Sequence, residues 1–126
     1  MGSVQRRPHP HLARLRKLAA GWPESQELET VLPQIGGGHP TFRVGEKIFA
    51  SYGETEEGPR IGVKATKPDQ AVLIEDPRIE VAKYVGRHGW ISLHTDRLQW
   101  GFIAELVEQS YRLIAPKRLV RQLDEA

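Results

Sequence analysis

From His39 to Tyr52 the chain reads HPTFRVGEKIFASY, and this stretch constrains the fold more than any other. Two alternating runs flank Gly45-Glu46, and glycine in the first position of a two-residue connection is what a type II′ hairpin turn prefers. In that register Phe42 faces Phe49 and Arg43 faces Ile48, which puts both phenylalanines on one face.

The neighbouring segments extend the hairpin into a sheet. Gln26 to Leu32 reads as a first strand, followed by Pro33 and the loop Gly36-Gly37-Gly38, which lacks the G-x-G-x-x-G or G-K-[ST] context of a phosphate cradle. After the hairpin, a seven-residue tip from Gly53 to Pro59 leads to a further strand, Arg60 to Ala65. There Ile61, Val63 and Ala65 alternate with Arg60, Gly62 and Lys64, giving one apolar and one partly basic face. Trp90 to His94 is another strand candidate. The glycines around Arg87-His88 predict a turn before it that presents both side chains to solvent, as a second wing.

Helices are expected on either side of these strands. Leu12, Leu15, Leu18 and Ala19 recur at helical spacing between Pro10 and the Gly21/Pro23 stop, with Arg14, Arg16 and Lys17 elsewhere on the helix as an ordinary solvated face. Pro68 opens a short helix to about Glu75, with Ala71, Val72 and Ile74 as its apolar contacts. Asp96 is placed to N-cap the longest helix, whose stripe of Leu98, Phe102, Ile103, Leu106, Val107, Leu113 and Ile114 ends near Pro116; Lys117 to Leu123 adds a last turn or two. The fold class is α+β: an antiparallel meander of hairpins covered by an N-terminal helix and a long C-terminal helix. With 126 residues, 39% of them hydrophobic, one domain over residues 10–126 is expected, preceded by a flexible arm, residues 1–9, whose Met1-Gly2-Ser3 reads as a cloning scar.

Composition excludes several functions. There is no cysteine, so disulfides, thiol catalysis and cysteine-based metal centres are ruled out. No apolar run approaches the ~20 residues that span a bilayer, and the expected location is the bacterial cytoplasm, with no membrane partner. A net charge of +2, from 18 basic and 16 acidic residues, does not by itself mark a nucleic-acid binder. Its distribution is uneven: residues 1–22 hold Arg6, Arg7, Arg14, Arg16 and Lys17 and no acid.

The five histidines show no ligand spacing such as H-E-x-x-H, so neither a metal nor a cofactor is expected. His9 and His11 fall in the arm region. His88 and His94, six apart with Asp96 nearby, could share a face, but no nucleophile pairs with them, and surface or structural roles are preferred to catalysis. Trp22, Trp90 and Trp100 are read as core; only an exposed one would suggest a base-stacking platform.

The motifs HPTF, K-I-F-A and, on the C-terminal helix, S-Y-R-L (Ser110-Tyr111-Arg112-Leu113) resemble, in order and spacing, the MmcQ/YjbR family of small bacterial proteins, over about residues 10 to 116. The resemblance implies a double-wing DNA-binding arrangement without chemistry. His39, Pro40, Phe42, Phe49, Ser110 and Tyr111 belong to the family motif and are read as architectural. His39 would bond a loop carbonyl at the hairpin entrance, Ser110 the preceding helical turn, and Tyr111 would pack under a sheet edge. Arg43, Lys47, Lys64, Lys67, Arg87 and His88 are the expected contacts to double-stranded DNA, mainly through phosphate. Glu54, Glu56 and Glu57 would repel phosphate, so the first wing is expected to stay off DNA. The alternatives are a module that binds a protein partner or itself, and a small-ligand binder or enzyme, which needs a pocket gathering His39, His88, His94 or Tyr111.

Overall fold

A computed structural model describes residues 8–32 and 37–126. In chain order these form helix α1 (Pro10–Ala20), strands β1 (Ser25–Leu32), β2 (Gly37–Val44), β3 (Lys47–Thr55) and β4 (Gly58–Lys64), helix α2 (Lys67–Leu73), strands β5 (Ile79–Val81) and β6 (Trp90–His94), and helices α3 (Trp100–Ile114) and α4 (Lys117–Glu125). The six strands make one antiparallel sheet in the order β1-β2-β3-β4-β6-β5. The first four are the expected meander. The chain then passes through α2 to an edge strand, β5, absent from the sequence reading, and returns as β6 between β4 and that edge.

The central hairpin turns at Gly45-Glu46 with Gly45 at φ 62° and no positive φ at Glu46, as a type II′ turn requires. Val44 pairs with Lys47 and Arg43 with Ile48, as expected. Phe42, however, pairs with Ala50 and not with Phe49, because a bulge interrupts β3. The extra residue changes the phase of the strand. Ala50 and Tyr52, which an unbroken register would turn away from Phe42, now join it and Phe49 in the core, all 3% exposed or less.

Two rows of side chains then cross the buried face: Phe42, Ala50, Val63 and Ile91, and beside them Tyr52, Ile61, Leu93 and Ile79. Helices α1 and α3 cover this face with Leu12, Leu15, Ile103, Leu106 and Val107. Trp22, Phe49 and Tyr111 form an aromatic triad with ring centroids 5.0–5.8 Å apart. The described helices packed most closely on the sheet, α1 and α3, both lie on this side of it. The opposite face carries Thr41, Ser51, Gly62 and Ser92 across the middle, with Arg43, Lys64 and Trp90 towards one end and Arg60 and His94 towards the other.

Several local expectations give way to packing. The β3–β4 tip is two residues, Glu56-Glu57, not seven. Helix α2 begins at Lys67 under a Thr66 cap and buries Gln70, while Ala71, Val72 and Ile74 face outward. Asp96 lies in a 3-10 turn and does not cap α3, which starts after Gln99 without a side-chain cap. Phe102 and Leu113 lie off the buried stripe, which is completed by Ser110 and Tyr111. At the other terminus His9 belongs to the folded unit: its Nδ1 accepts from the His11 amide at 3.1 Å, and its own N–H donates to the Tyr52 oxygen at 2.8 Å.

Ser110 holds α3 to the sheet, and not by bonding its own preceding turn. Pairing of β3 with β4 runs to Ala50–Val63, so Phe49 and Lys64 would come next. Instead the Ser110 hydroxyl sits between them, donating to the Phe49 carbonyl at 2.7 Å and accepting from the Lys64 N–H at 2.9 Å. Ser110→Ala therefore orphans both a buried donor and a buried acceptor, and should cost about 1–3 kcal/mol in urea unfolding, with activity-independent loss of Tm.

Tyr52 provides a pH test of the N-terminal attachment. Burial, reinforced by its bond to Glu54, pushes its hydroxyl from 10.0 up to about 12. An acid whose folded value is raised contributes stability that is whole below pH 10 and is lost as pH rises through 12. In thermal melts between pH 8 and 12, Tyr52→Phe should be less stable at pH 8 and show a shallower alkaline decline than the parent.

Candidate nucleic-acid interface

The six residues singled out in the sequence, five of them cations, fall on three connections at one end of the sheet. Arg43 and Lys47 flank the β2–β3 turn, Lys64 and Lys67 span the passage from β4 into α2, and Arg87 and His88 lie in the turn that feeds β6. Antiparallel pairing brings these ends together: Arg43 pairs with Ile48, Lys64 with Trp90, and the Ala65 N–H donates to the Gly89 carbonyl at 3.0 Å. Lys47, Lys67, Arg87 and His88 are exposed, and Arg43 and Lys64 half-buried. Lys67 Nζ bonds the Gln70 side chain at 3.0 Å, and Arg87 Nε donates to His88 Nε2 at 3.2 Å.

Helix α4 extends this basic end. Lys47, Gly45, Arg118 and Leu119, with the carboxylates Glu24 and Glu46, line one open depression of about 390 Å³, which sets the start of α4 beside the β2–β3 turn, and Arg112, Lys117 and Arg121 line another of about 440 Å³. Arg118 is engaged by Glu24 at 2.8 Å and Arg112 by Asp124 at 2.7 Å. The charge of α4 was visible in the sequence. Its position was not, since nothing local indicates which sheet end a terminal helix will meet.

The acidic residues of the first wing lie at the far end of β3 and β4. Gly58 faces Asp96 there, so Glu54, Glu56, Glu57 and Asp96 gather opposite the cations. Arg60 and His94 also belong to that end. Arg60 bonds Glu80 at 2.7 Å and Glu57 at 3.3 Å, and His94 Nε2 lies 3.4 Å from Glu80. The carboxylate near His94 is thus Glu80, not Asp96. Arg60, helped by His94, holds Glu80 below the usual carboxylate range. Arg60 Nε and His94 Nδ1 are buried with no hydrogen-bond partner among the described residues.

The histidines do not converge on a pocket. His88 is exposed before β6 and His94 buried at its other end, a strand roughly 13 Å long away. Tyr111 is under α3, its hydroxyl donating to the Pro23 carbonyl at 2.7 Å. His39 and Pro40, half-buried on β2, pair with Thr30 and Glu29. The loop whose carbonyl His39 was expected to hold, residues 33–36, lies outside the described residues. His11 contacts the Thr95 carbonyl at 3.1 Å, and burial, with His9 beside it, lowers its pKa. Among the described residues no group of three or more His, Asp or Glu side chains is placed to hold a metal, and no helix is long and apolar enough to cross a membrane.

The β5–β6 connection is firmly anchored. The buried Gln70 amide donates to the carbonyls of Gly86 and Trp90 at 2.7 and 2.9 Å. Gly89 has φ 96°, and a Cβ there would lie 2.1 Å from the Ala65 carbonyl oxygen. Just before these anchors Tyr84 takes φ 68° and stands 80% exposed. Sequence reasoning passed over it, having weighed only the tryptophans as aromatic platforms.

An antiparallel sheet, two helices on its covered face and cationic connections at one end define a small α+β protein. The YjbR family model matches residues 23–113, and the chain belongs to the MmcQ/YjbR family. The crystal structure of a Deinococcus radiodurans protein with domain DUF419 is similar at a TM-score of 0.71 and 18% identity, covering 90% of this chain and 87% of that one; this likeness is one of fold. No curated protein matches.

Gly89→Ala should open the β5–β6 connection. The left-handed φ alone costs about 1–3 kcal/mol, and the clash is with backbone that cannot step aside. Amide exchange should accelerate first at Ala65, whose N–H donates to the Gly89 carbonyl, and at position 89, whose own N–H donates to the Gly86 carbonyl, and thermal melts should show the loss of stability.

Proposed function

We propose that this is a non-enzymatic DNA-binding protein of the bacterial cytoplasm that lays the basic end of its sheet along the phosphate backbone of a duplex. The observation that carries the reading is the convergence of Arg43, Lys47, Lys64, Lys67, Arg87 and His88 from three connections, with Glu54, Glu56, Glu57 and Asp96 at the opposite end. Phosphates are drawn to one end and repelled from the other, so the field orients the protein before contact. The β5–β6 connection is the wing that approaches the duplex, and the acidic β3–β4 tip stays away. Contacts of this kind position a duplex without reading its sequence.

Fluorescence anisotropy with a labelled mixed-sequence duplex, at low and near-physiological salt, tests the reading. Binding should weaken steeply with salt to a Kd on the order of 1–100 μM. The Lys64→Ala/Arg87→Ala double variant should lower the slope of log K against log salt by about 2. Absence of binding at low salt overturns the proposal. A second reading, self-association or a protein partner, is favoured by Val81 and Val85 on and after the short edge strand β5, both more than 40% exposed. Sedimentation of the free protein would then show a dimer.

A further inference from the structure

A tyrosine is rarely left in the open with a left-handed backbone. Tyr84 sits at the centre of a three-residue turn in which the Val85 N–H donates to the Lys83 carbonyl at 2.7 Å, and its φ is 68°. A reverse turn with positive central φ is uncommon and strained, and a non-glycine residue persists there only when its surroundings enforce it. Here they do. Gly86 is buried with its carbonyl held by Gln70, Gly89 is locked against Ala65, and the Ala82 N–H donates to the Trp90 carbonyl at 3.1 Å. The turn is fixed at both flanks, and what it projects is the ring. At 80% exposure Tyr84 is the most exposed of the large hydrophobic side chains described, and among the described residues no other ring packs on it.

Its neighbours give the ring a context. Lys83, Arg87 and His88 are exposed on the same connection, and Lys64 and Lys67 stand where β4 leaves the sheet beside it. Cations that follow a phosphate backbone, interleaved with an exposed aromatic face on a rigid support, are what binding of unpaired bases requires, because every base offers a π-face while its phosphate needs a counter-charge.

We propose that Tyr84 is a base-stacking residue and that the basic end of the sheet takes single-stranded nucleic acid, with Tyr84 on a base and Lys64 and Arg87 on the flanking phosphates. This rests on the nucleic-acid reading above and adds to it the unpaired base as the feature recognised. Stacking on one base is worth about 1–3 kcal/mol, or roughly 5- to 150-fold in affinity. Because the ring is solvated and its backbone strained, replacing it does not disturb the core.

The test compares a labelled single-stranded oligonucleotide with an abasic strand carrying the same number of phosphates, for the full chain, Tyr84→Ala, Tyr84→Phe and Lys64→Ala/Arg87→Ala, by anisotropy at two salt concentrations. The parent should bind the base-bearing strand at least about 5-fold more tightly than the abasic one. Tyr84→Ala should fall to the abasic level with its salt slope unchanged and melt no lower than the parent, while Tyr84→Phe should retain the preference. The double variant should weaken both strands and lower the salt slope. Equal binding of the two strands, unaffected by Tyr84→Ala, overturns the stacking role and leaves phosphate binding standing. Failure of both strands to bind at low salt overturns single-strand binding, and failure of the mixed-sequence duplex in the same assay overturns the nucleic-acid reading on which it rests.

Discussion

The Ser110 hydroxyl, placed between the Phe49 carbonyl and the Lys64 amide, is the contact on which the remaining architecture turns. A bulge in β3 improves one thing and leaves another undone. It brings Ala50 and Tyr52 round to the buried face, so that the strand contributes a full apolar row, but it leaves a carbonyl and an amide at the end of the β3–β4 ladder without each other. A methyl at position 110 would leave both unpaired, and a longer side chain would push α3 off the sheet. With a serine there, the helix closes on the sheet at the depth where Tyr111, the next residue, reaches Trp22 and Phe49 with its ring and the Pro23 carbonyl with its hydroxyl. The motif positions Phe42, Phe49, Ser110 and Tyr111 are thus one packing unit contributed by distant segments.

That unit also determines where charge lies. Lys64, fixed through its amide, marks the point at which the chain leaves β4, and the connections on either side of it end at the same height. From Gly58 to Lys64 the strand covers roughly 20 Å. The Debye length at physiological ionic strength is about 8 Å, so carboxylates at the β3–β4 tip cannot neutralise the cations at the other end. A net charge of +2 therefore says little of the local field, because the carboxylates of the β3–β4 tip enter the sum without screening the cations at the other end.

What could be read from the sequence follows the range of the interactions concerned. The type II′ turn, α1 and its glycine stop, the alternation in β4 and the turn around Arg87-His88 are decided by residues close in sequence, and each was legible. The bulge was not, since Phe49-Ala50 reads as ordinary alternation until a partner strand and a helix are present. Strand β5 escaped because three residues are too few for any period, and α2 was misjudged because its apolar residues suggested a buried face while Gln70 was needed inside to hold two carbonyls of the next connection. Asp96 had the chemistry of a cap, but it lies inside a 3-10 turn that ends before α3 begins. Of the candidate site, the cations were legible as residue types. Their convergence depended on strand order, which separates β5 from β4 by a strand that comes later in the chain.

Tyr84 lies beyond that limit for a different reason. No local preference favours a tyrosine at positive φ, and none of the patterns that find helices, strands or turns would single it out. Glycine would suit the backbone there without strain, as it does at Gly89 a few residues on. The two positions make the comparison within one connection: at Gly89 the backbone conformation excludes a side chain, and at Tyr84 a side chain is kept in spite of the conformation. Packing does not explain keeping it, because the ring is almost wholly in solvent. What it contributes is directed outward, at the end of the sheet that carries Lys64, Lys67 and Arg87.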